Sequence, residues 1–261
     1  MTFSKSSPSG RRVQLHRALS KLGWGSRTQA WEWIRAGEVC VDGQPVTDPL
    51  TWVDLDRQRI TRADEVAPVV VLTTLALHKP RGVVTTRRDE RGRPNVYDLL
   101  PPGLPWVFPA GRLDAESEGL LIFTNDADLS VRLTEPEHHT PKTYHATLTG
   151  DLTPEALEQL RGGVDLADGR TRPAQVRELR PGMKPCRLEI ILTEGRNRQI
   201  RRMAVAVGCR VRRLVRVAVG RYELGDLPVG ACRFLGKEDL LMLLNGCSAP
   251  DRAKATGEAD G

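Results

Sequence analysis

The residues best suited to chemistry lie in Gly111-Arg112-Leu113-Asp114, which run on through Glu118-Gly119 into Leu120-Leu121-Ile122-Phe123-Thr124-Asn125-Asp126. A glycine permits a tight turn at positive φ. Arginine and aspartate then stand two apart, astride a leucine. After a short acidic loop, four apolar residues read as a buried strand, and Asn125-Asp126 closes it with turn or helix-cap chemistry. Such an order holds one carboxylate at the rim of a sheet, beside a fixed positive charge and next to backbone that a ligand can approach. Asp114 is thus a candidate functional carboxylate. A structural Arg112–Asp114 ion pair at a strand entry is the competing explanation.

The other segment able to act on a ligand is basic. Residues 194–221 hold nine arginines (196, 198, 201, 202, 210, 212, 213, 216 and 221) against one acid, Glu194, in a chain whose net charge is only +6. The positive excess is therefore concentrated here. Arginine's planar fork suits phosphate and stacks on bases, which points to a polyanionic partner. Asn197 is expected to cap a helix in which Ile200, Met203, Ala204 and Val207 form an inward stripe ending at Gly208. Arg198 and Arg202 share another face of that helix, and Arg201 flanks the stripe. Residues 211–219 alternate between arginine and aliphatic side chains, as a strand with one wet face would.

The chain of 261 residues, 39% hydrophobic and 28% charged, is long enough for two domains. Its five cysteines (40, 186, 209, 232 and 247) are odd in number and form no C-x-x-C, so neither a disulfide framework nor a zinc knuckle is expected. The polar N-terminus lacks the apolar core of a secretory signal. Residues 66–77, the longest apolar stretch, are broken by Pro68 and Thr73-Thr74 and are too short to span a bilayer. These features predict a cytoplasmic protein with no membrane contact.

Residues 1–10 are Ser/Pro/Gly/Lys-rich and predicted to be disordered. From Arg12 the pattern reads as a helix whose face is Val13, Leu15, Ala18, Leu19 and Leu22, ending at Gly23. Ser26 caps a second helix over 27–35, stopped by Gly37, and Asp42-Gly43 turns a short hairpin. Arg12, Arg17, Lys21, Arg27 and Arg35 decorate the two helices, while Trp24, Trp31 and Trp33 are assigned to the core. The run 11–62, with "LGWGSRTQAWEWIRAGEV" and "VDGQPV", resembles the αL-type RNA-binding domain first known from a small-subunit ribosomal protein. Residues 63–69 read as a linker. The second domain, 70–247, opens with a strand running into His78-Lys79-Pro80-Arg81-Gly82. It continues with a charged loop at 87–93 and a helical turn at Tyr97 stopped by Pro101-Pro102. A helix over 126–133, a strand over 144–148 and a helix begun by Thr153-Pro154-Glu155 follow. A strand over 187–192 and a last helix over 238–244 complete it, before a polar, disordered tail, 248–261.

Five fragments occur in fixed order: "HKPRGVVTT", "GRPNVYDLLP", "FPAGRLDAESEGLLIFTND", "KTYHATL" and "EGRNRQIRRM". Together they resemble the motif series of the RsuA-type pseudouridine synthases, which isomerise uridine in ribosomal RNA. The resemblance covers roughly residues 12–244. It implies an α+β fold, with a small RNA-binding domain ahead of a catalytic domain built on a mixed, largely antiparallel sheet flanked by helices. It places Asp114 on the catalytic aspartate, Arg201 on the arginine that pairs with it (Arg202 being the fallback), and Tyr144 on the tyrosine beside the target base. Ile200 falls where an apolar wall could stand, although its place in the stripe favours the core. Arg112 falls beside the aspartate, as a plug for the space left by an extruded base. His78, Lys79 and Arg81 fall in the first motif and are assigned RNA contacts, as are Arg198 and Arg202. A carboxylate against sugar and base can act as nucleophile or as base toward a ribose proton, and needs neither metal nor cofactor. "SEGLL…TND" and "EGRNRQIRRM" look closer to large-subunit than to small-subunit enzymes. The partner implied is large-subunit ribosomal RNA, with small-subunit RNA as the alternative, and the chain is expected to be a monomer. Ser117 stands where many relatives carry threonine.

Two rival readings remain at the level of sequence. Asp114, Glu116, Glu118 and Asp126 could form the acidic cluster of a metal-dependent nuclease, although such sites normally draw carboxylates from separate elements. A non-catalytic RNA-binding or ribosome-assembly factor would use the N-terminal module and the arginines alone. His138-His139 suggests a metal ligand pair, but no Cys, His or acid stands at ligand spacing, so a plain loop is expected.

Overall fold

The computed structural model describes residues 12–62, 65–66, 71–87 and 89–245. The arm 1–10 and the tail 248–261 therefore lie outside the described residues. The chain divides into two compact units. One comprises 1–73, 102–108 and 124–127, and the other 74–101, 109–123 and 128–261. No described helix is long and apolar enough to cross a membrane.

The first unit is built from β1 (Arg12–Gln14), α1 (Leu15–Lys21), α2 (Arg27–Arg35), β2 (Val39–Val41), β3 (Gln44–Pro45), β4 (Trp52–Asp54), β5 (Ile60–Arg62) and β6 (Glu65–Val66). Helix α2 begins as its sequence dictates. Ser26 accepts from the Gln29 amide while the Gln29 side chain accepts from the Ser26 amide, a reciprocal capping box. Asp42 and Gly43 both take positive φ, the backbone of the tight β2–β3 hairpin. Three expectations are corrected. Residues 12–14 are not helical, because they pair antiparallel with 52–54 and find backbone partners there, so α1 starts at Leu15. The expected linker contains β6, which pairs with Thr61 and Arg62 of β5. The tryptophans are only half-buried. Trp24 and Trp33 pack against the cluster of Leu15, Leu19, Ile34, Val39 and Val53, whereas Trp31 meets His16 edge to face and lies 5.8 Å under the Arg35 guanidinium.

The second unit contains β7 (Thr74–Lys79), β8 (Phe108–Pro109, which begins just ahead of it), β9 (Glu118–Thr124), α3 (Ala127–Thr134), β10 (Lys142–Thr149), α4 (Pro154–Gly162), β11 (Asp165–Leu166) and β12 (Gly169–Arg170). After these come β13 (Gln175–Glu178), β14 (Cys186–Leu192), α5 (Gln199–Ala206), β15 (Arg210–Val219), β16 (Tyr222–Glu223), β17 (Cys232–Phe234) and α6 (Lys237–Leu244). One nine-stranded sheet runs β13-β14-β10-β15-β9-β7-β17, with β16 on β15 and β8 on β9. The β9–β15 pairing is parallel; β10–β14, β10–β15, β13–β14 and β7–β17 are antiparallel. The sheet is thus mixed and largely antiparallel, as the resemblance implied. Two apolar clusters hold the helices to it. One joins α4 and α5 to β10, β13 and β14 through Leu160, Val176, Leu188, Ile190, Met203 and Ala204. The other gathers Ala76, Leu120, Ile122, Leu129, Leu133 and Leu243. Each buried Leu, Ile, Val or Met side chain among these contributes ~1.5–3 kcal/mol.

The β9–β15 seam tolerates no side chain at its start. Gly119 has φ +105°, and a Cβ there would stand 2.2 Å from the Arg216 carbonyl oxygen and 2.7 Å from its nitrogen. Gly119→Ala is therefore expected to lower the unfolding free energy by about 3 kcal/mol or more, read as a drop in the urea midpoint at unchanged slope. A loss below about 0.5 kcal/mol, the level of a neutral surface change, would contradict the close approach.

Candidate active site

Asp114 lies in a loop whose backbone is fixed from outside at every step. Thr85 Oγ1 donates to the Leu113 carbonyl (2.7 Å) and Lys79 Nζ to the Asp114 carbonyl (3.1 Å); the Gly82 amide donates to Ala115 O (2.7 Å). Arg201 Nη2 donates to Glu116 O (3.0 Å) and Lys79 Nζ to Ser117 O (2.8 Å). Four of these five anchors come from Lys79, Gly82 and Thr85, the residues of "HKPRGVVTT". Lys79 is completely buried, and its third bond goes to Pro80 O at 3.0 Å. An ammonium has three protons, and all three are used. Burial draws its pKa down to about 8 while Asp114 and Glu118 act in the opposite sense, so the group is an ammonium at neutral pH. Lys79 is consequently corrected from an RNA contact to a buried strut. Arg81, two residues on, is exposed.

The guanidinium nearest the Asp114 carboxylate is also a correction. Arg198 Nη1 stands 4.0 Å from Asp114 Oδ2, and Arg198 Nη2 donates to Glu116 Oε2 at 2.9 Å. Arg201, which the resemblance paired with Asp114, instead donates to the carbonyls of Glu116 and Val211, with Nε 3.8 Å from Glu116 Oε2. Its hydrogen bonds hold the loop, while the Asp114 charge is among those acting on it. The cause is local backbone. Asn197 does not cap α5; Arg198 occupies that position in the left-handed region (φ 49°, ψ 33°), which points its side chain off the helical face assumed for it. Arg202, the fallback, is bound to Asp168 through both Nη atoms (2.7 and 3.0 Å). No ion pair joins Arg112 to Asp114 among the described residues, and Arg112 is exposed.

Asp114 lines a cavity of about 420 Å³. Its wall also carries Arg112, Tyr144, Ile200, Arg198 and Arg201, with Lys142, Leu192, Glu194, Arg196 and Arg216 contributing. Tyr144 is half-buried in β10 and faces Ile190 and Arg216 across the neighbouring strands. Ile200 is buried in the α5 cluster and also lines the cavity. A second depression, lined by Thr85, Thr86, Arg91, Arg93, Arg112, Asp114 and Arg198, shares Arg112, Asp114 and Arg198 with the first. Glu116 is held below the usual carboxylate range, first by its hydrogen bond from Arg198, and Glu118 likewise by Arg213. Both acids are thus committed to arginines. Among the described residues no group of three or more His, Cys, Asp or Glu is placed to hold a metal ion. His139 accepts from Arg172 at 2.8 Å in an exposed loop.

Two cavity residues escaped the sequence reading. Lys142 stands in step with the half-buried Tyr144 and the buried Ala146 and Leu148, and Arg216 with the buried Leu214 and Ala218. That two-residue step was a legible signal. Arg216 was instead assigned to a wet face, whereas the exposed arginines of this strand are Arg210, Arg212 and Arg213.

Comparison with known proteins follows the same lines. A family model for RNA pseudouridylate synthases matches residues 73–206, and one for the S4 domain matches 14–51. An uncharacterized RNA pseudouridine synthase of Mycobacterium bovis is 40% identical over 240 residues, 88% of this chain and 92% of the relative. The chain belongs to the RNA pseudouridylate synthase family. The enzyme is therefore an isomerase that acts on RNA. Ribosomal large subunit pseudouridine synthase E of Xanthomonas axonopodis is 48% identical over 167 residues, 58% of this chain and 87% of that one. Ribosomal large subunit pseudouridine synthase B of Bacillus subtilis is 34% identical over 235 residues, 88% and 95% respectively. A crystal structure of a pseudouridylate synthase superposes with TM-score 0.65 at 28% identity, covering 88% of this chain and 99% of the other.

Lys79 supplies a test that separates strut from RNA contact. Lys79→Met removes a donor from three carbonyls, of which Asp114 O keeps the Ser117 amide, and about 3 kcal/mol of stability is expected to go. The slope of RNA affinity against salt should stay unchanged, whereas loss of a phosphate contact lowers it by about one. A stable variant with a reduced salt slope would reverse the assignment.

Proposed function

We propose that this enzyme converts a specific uridine of large-subunit ribosomal RNA to pseudouridine, with the Asp114 carboxylate as nucleophile toward an extruded nucleotide. The observation that carries this reading is the fixed position of Asp114 on the wall of a cavity it shares with Tyr144 and several cations. The large-subunit relatives at 48% and 34% identity support the choice of RNA. The reaction must break the N1–C1′ bond, turn the uracil, join C5 to C1′ and release the C5 proton. It is redox-neutral and intramolecular, so no cofactor is needed. In this reading Tyr144 stacks on the base and its hydroxyl is within reach of proton transfer. Arg198 orients the carboxylate, Arg201 holds the loop, and Arg112 enters the space the base leaves.

The segment 11–62 acts as the RNA-binding module, offering the exposed Arg12, Arg17, Lys21, Arg27 and Arg35 to phosphates, while 70–247 carries the chemistry. Arg81 and Arg198 serve the same electrostatic purpose at the site. The working form in this reading is a cytoplasmic monomer.

Asp114→Asn is expected to reduce pseudouridine formation about a thousandfold or more, with RNA affinity within about threefold of the parent because no phosphate contact is touched. Mapping pseudouridine in ribosomal RNA from cells with and without the protein identifies the target. Retained activity in the variant would remove Asp114 from the chemistry. A missing pseudouridine in the small subunit alone would move the substrate there.

A further inference from the structure

Arg216 combines two features that rarely coexist. It is 5% exposed, yet its Nη2 is buried without a hydrogen-bond partner. One guanidinium nitrogen is accounted for, since Nε donates to Leu120 O at 2.7 Å. An unsatisfied buried donor of this kind costs stability, and a ligand that fills it recovers that loss. The side chain lines the wall of the cavity that holds Asp114, directly across the strands from Tyr144. Lys142 lies on the same wall, and its pKa is drawn down to about 8 by burial, with the Arg216 charge adding to the effect.

Among the described residues no carboxylate is paired with either of these two cations. The acids on the cavity wall are Asp114 and Glu194. Glu194 is already taken by the Arg172 amide (3.0 Å), Gln199 Nε2 (2.6 Å) and Arg196 Nε (3.2 Å). Asp114 has Arg198 as its neighbour. An acceptor carried into the cavity by a ligand would fill that gap.

We infer that Arg216, with Lys142 beside it, is the uracil-reading element of this site, donating to the O4 carbonyl oxygen of the extruded base. The inference rests on the functional reading above. Its logic is one of reach. An extruded nucleotide enters base first, and its phosphates stay outside because the strand must continue on both sides. Asp114 has to address the sugar end, at N1–C1′, and O4 lies across the ring from N1. The group that arrives at a buried arginine is thus the carbonyl, not a phosphate. Guanidinium and ammonium are donors only. They suit a carbonyl oxygen and oppose the amino group that cytosine carries at the same position, so they select uracil. As the N1–C1′ bond breaks, the electron pair passes to the uracil ring and negative charge builds on its oxygens. The same two cations then stabilise that charge where it forms.

The test uses the full chain and an RNA fragment carrying the mapped target as uridine or, at that one position, as 4-thiouridine, whose sulfur is a weak acceptor. Wild-type enzyme is expected to isomerise the thio substrate about tenfold more slowly or worse, the scale of a hydrogen bond from a charged donor. Arg216→Met should lower the rate on uridine about a hundredfold and shrink the thio penalty to about twofold or less, because the donor that senses the sulfur is gone. A purely structural arginine would lower activity and leave the penalty intact, and that result overturns the inference. Should the methionine variant fail to fold, Lys142→Met decides: the penalty must fall by at least about threefold, and an unchanged penalty counts against the pair. Wild-type enzyme that makes pseudouridine but ignores the sulfur sinks this inference alone. Wild-type enzyme that makes none from any ribosomal RNA sinks the functional reading and this inference with it.

Discussion

The site depends on a single buried ammonium. Lys79 places its three protons on the carbonyls of Pro80, Asp114 and Ser117, and in doing so fastens the end of one strand to the loop that carries the carboxylate. A lysine side chain gives up about 2 kcal/mol of rotamer entropy when immobilised, and a buried charge persists only when its donors are satisfied. Both costs are offset here because all three protons meet backbone carbonyls, one of which, Asp114 O, also accepts from the Ser117 amide at 3.0 Å. Thr85, Gly82 and Arg201 complete the anchoring of Leu113, Ala115 and Glu116. Five consecutive peptide carbonyls are thereby held by groups outside the loop. Asp114 is positioned by its backbone before any partner touches its side chain, which is the kind of preorganisation that reactive carboxylates need.

The arginines divide by task. Arg196, Arg202 and Arg213 are bound to Glu194, Asp168 and Glu118, and Arg201 to loop carbonyls, so they stabilise the catalytic unit itself. Arg210, Arg212 and Arg221 are exposed. Arg198 and Arg216 line the cavity, one at the carboxylate and the other against Tyr144. A charge count over 194–221 treats all nine as a phosphate-facing patch. The folded chain bonds six of them, Arg198 and Arg216 included, to its own acids and carbonyls, and the field acting on RNA is correspondingly smaller than the composition suggests.

Most signals whose partner lies within a few positions were read correctly from sequence, the cap expected at Asn197 being the exception. Ser26 with Gln29 started α2, Asp42-Gly43 turned its hairpin, and Thr153 capped α4 through the Ala156 amide. The strand after Asp114 was legible from its apolar run. What escaped depends on distant partners or on a single backbone torsion. Nothing near Lys79 announces that carbonyls 35 and 38 residues away will meet it, so it read as a strand-end cation. Residues 12–14 paired with a strand forty residues on and were mistaken for helix. The exchange of Arg198 for Arg201 follows from one left-handed residue at the start of α5, which shifts the first side chain off the expected face. Arg216 is the instructive miss, because the two-residue step of its strand already set it among buried neighbours.

The central claim is that an extruded uridine lies in this cavity with its sugar end at Asp114 and its base between Tyr144 and Ile200. A crystal structure of the enzyme with an RNA bearing 5-fluorouridine at the target tests it most directly. Fluorine at C5 removes the proton that must leave in the last step, so the rearranged nucleotide is held at the site. The fluorinated ring is expected in the Tyr144 cavity, with the Asp114 carboxylate in contact with the ribose or base. A ring seated elsewhere on the protein, or an Asp114 carboxylate out of contact with the nucleotide, would contradict it.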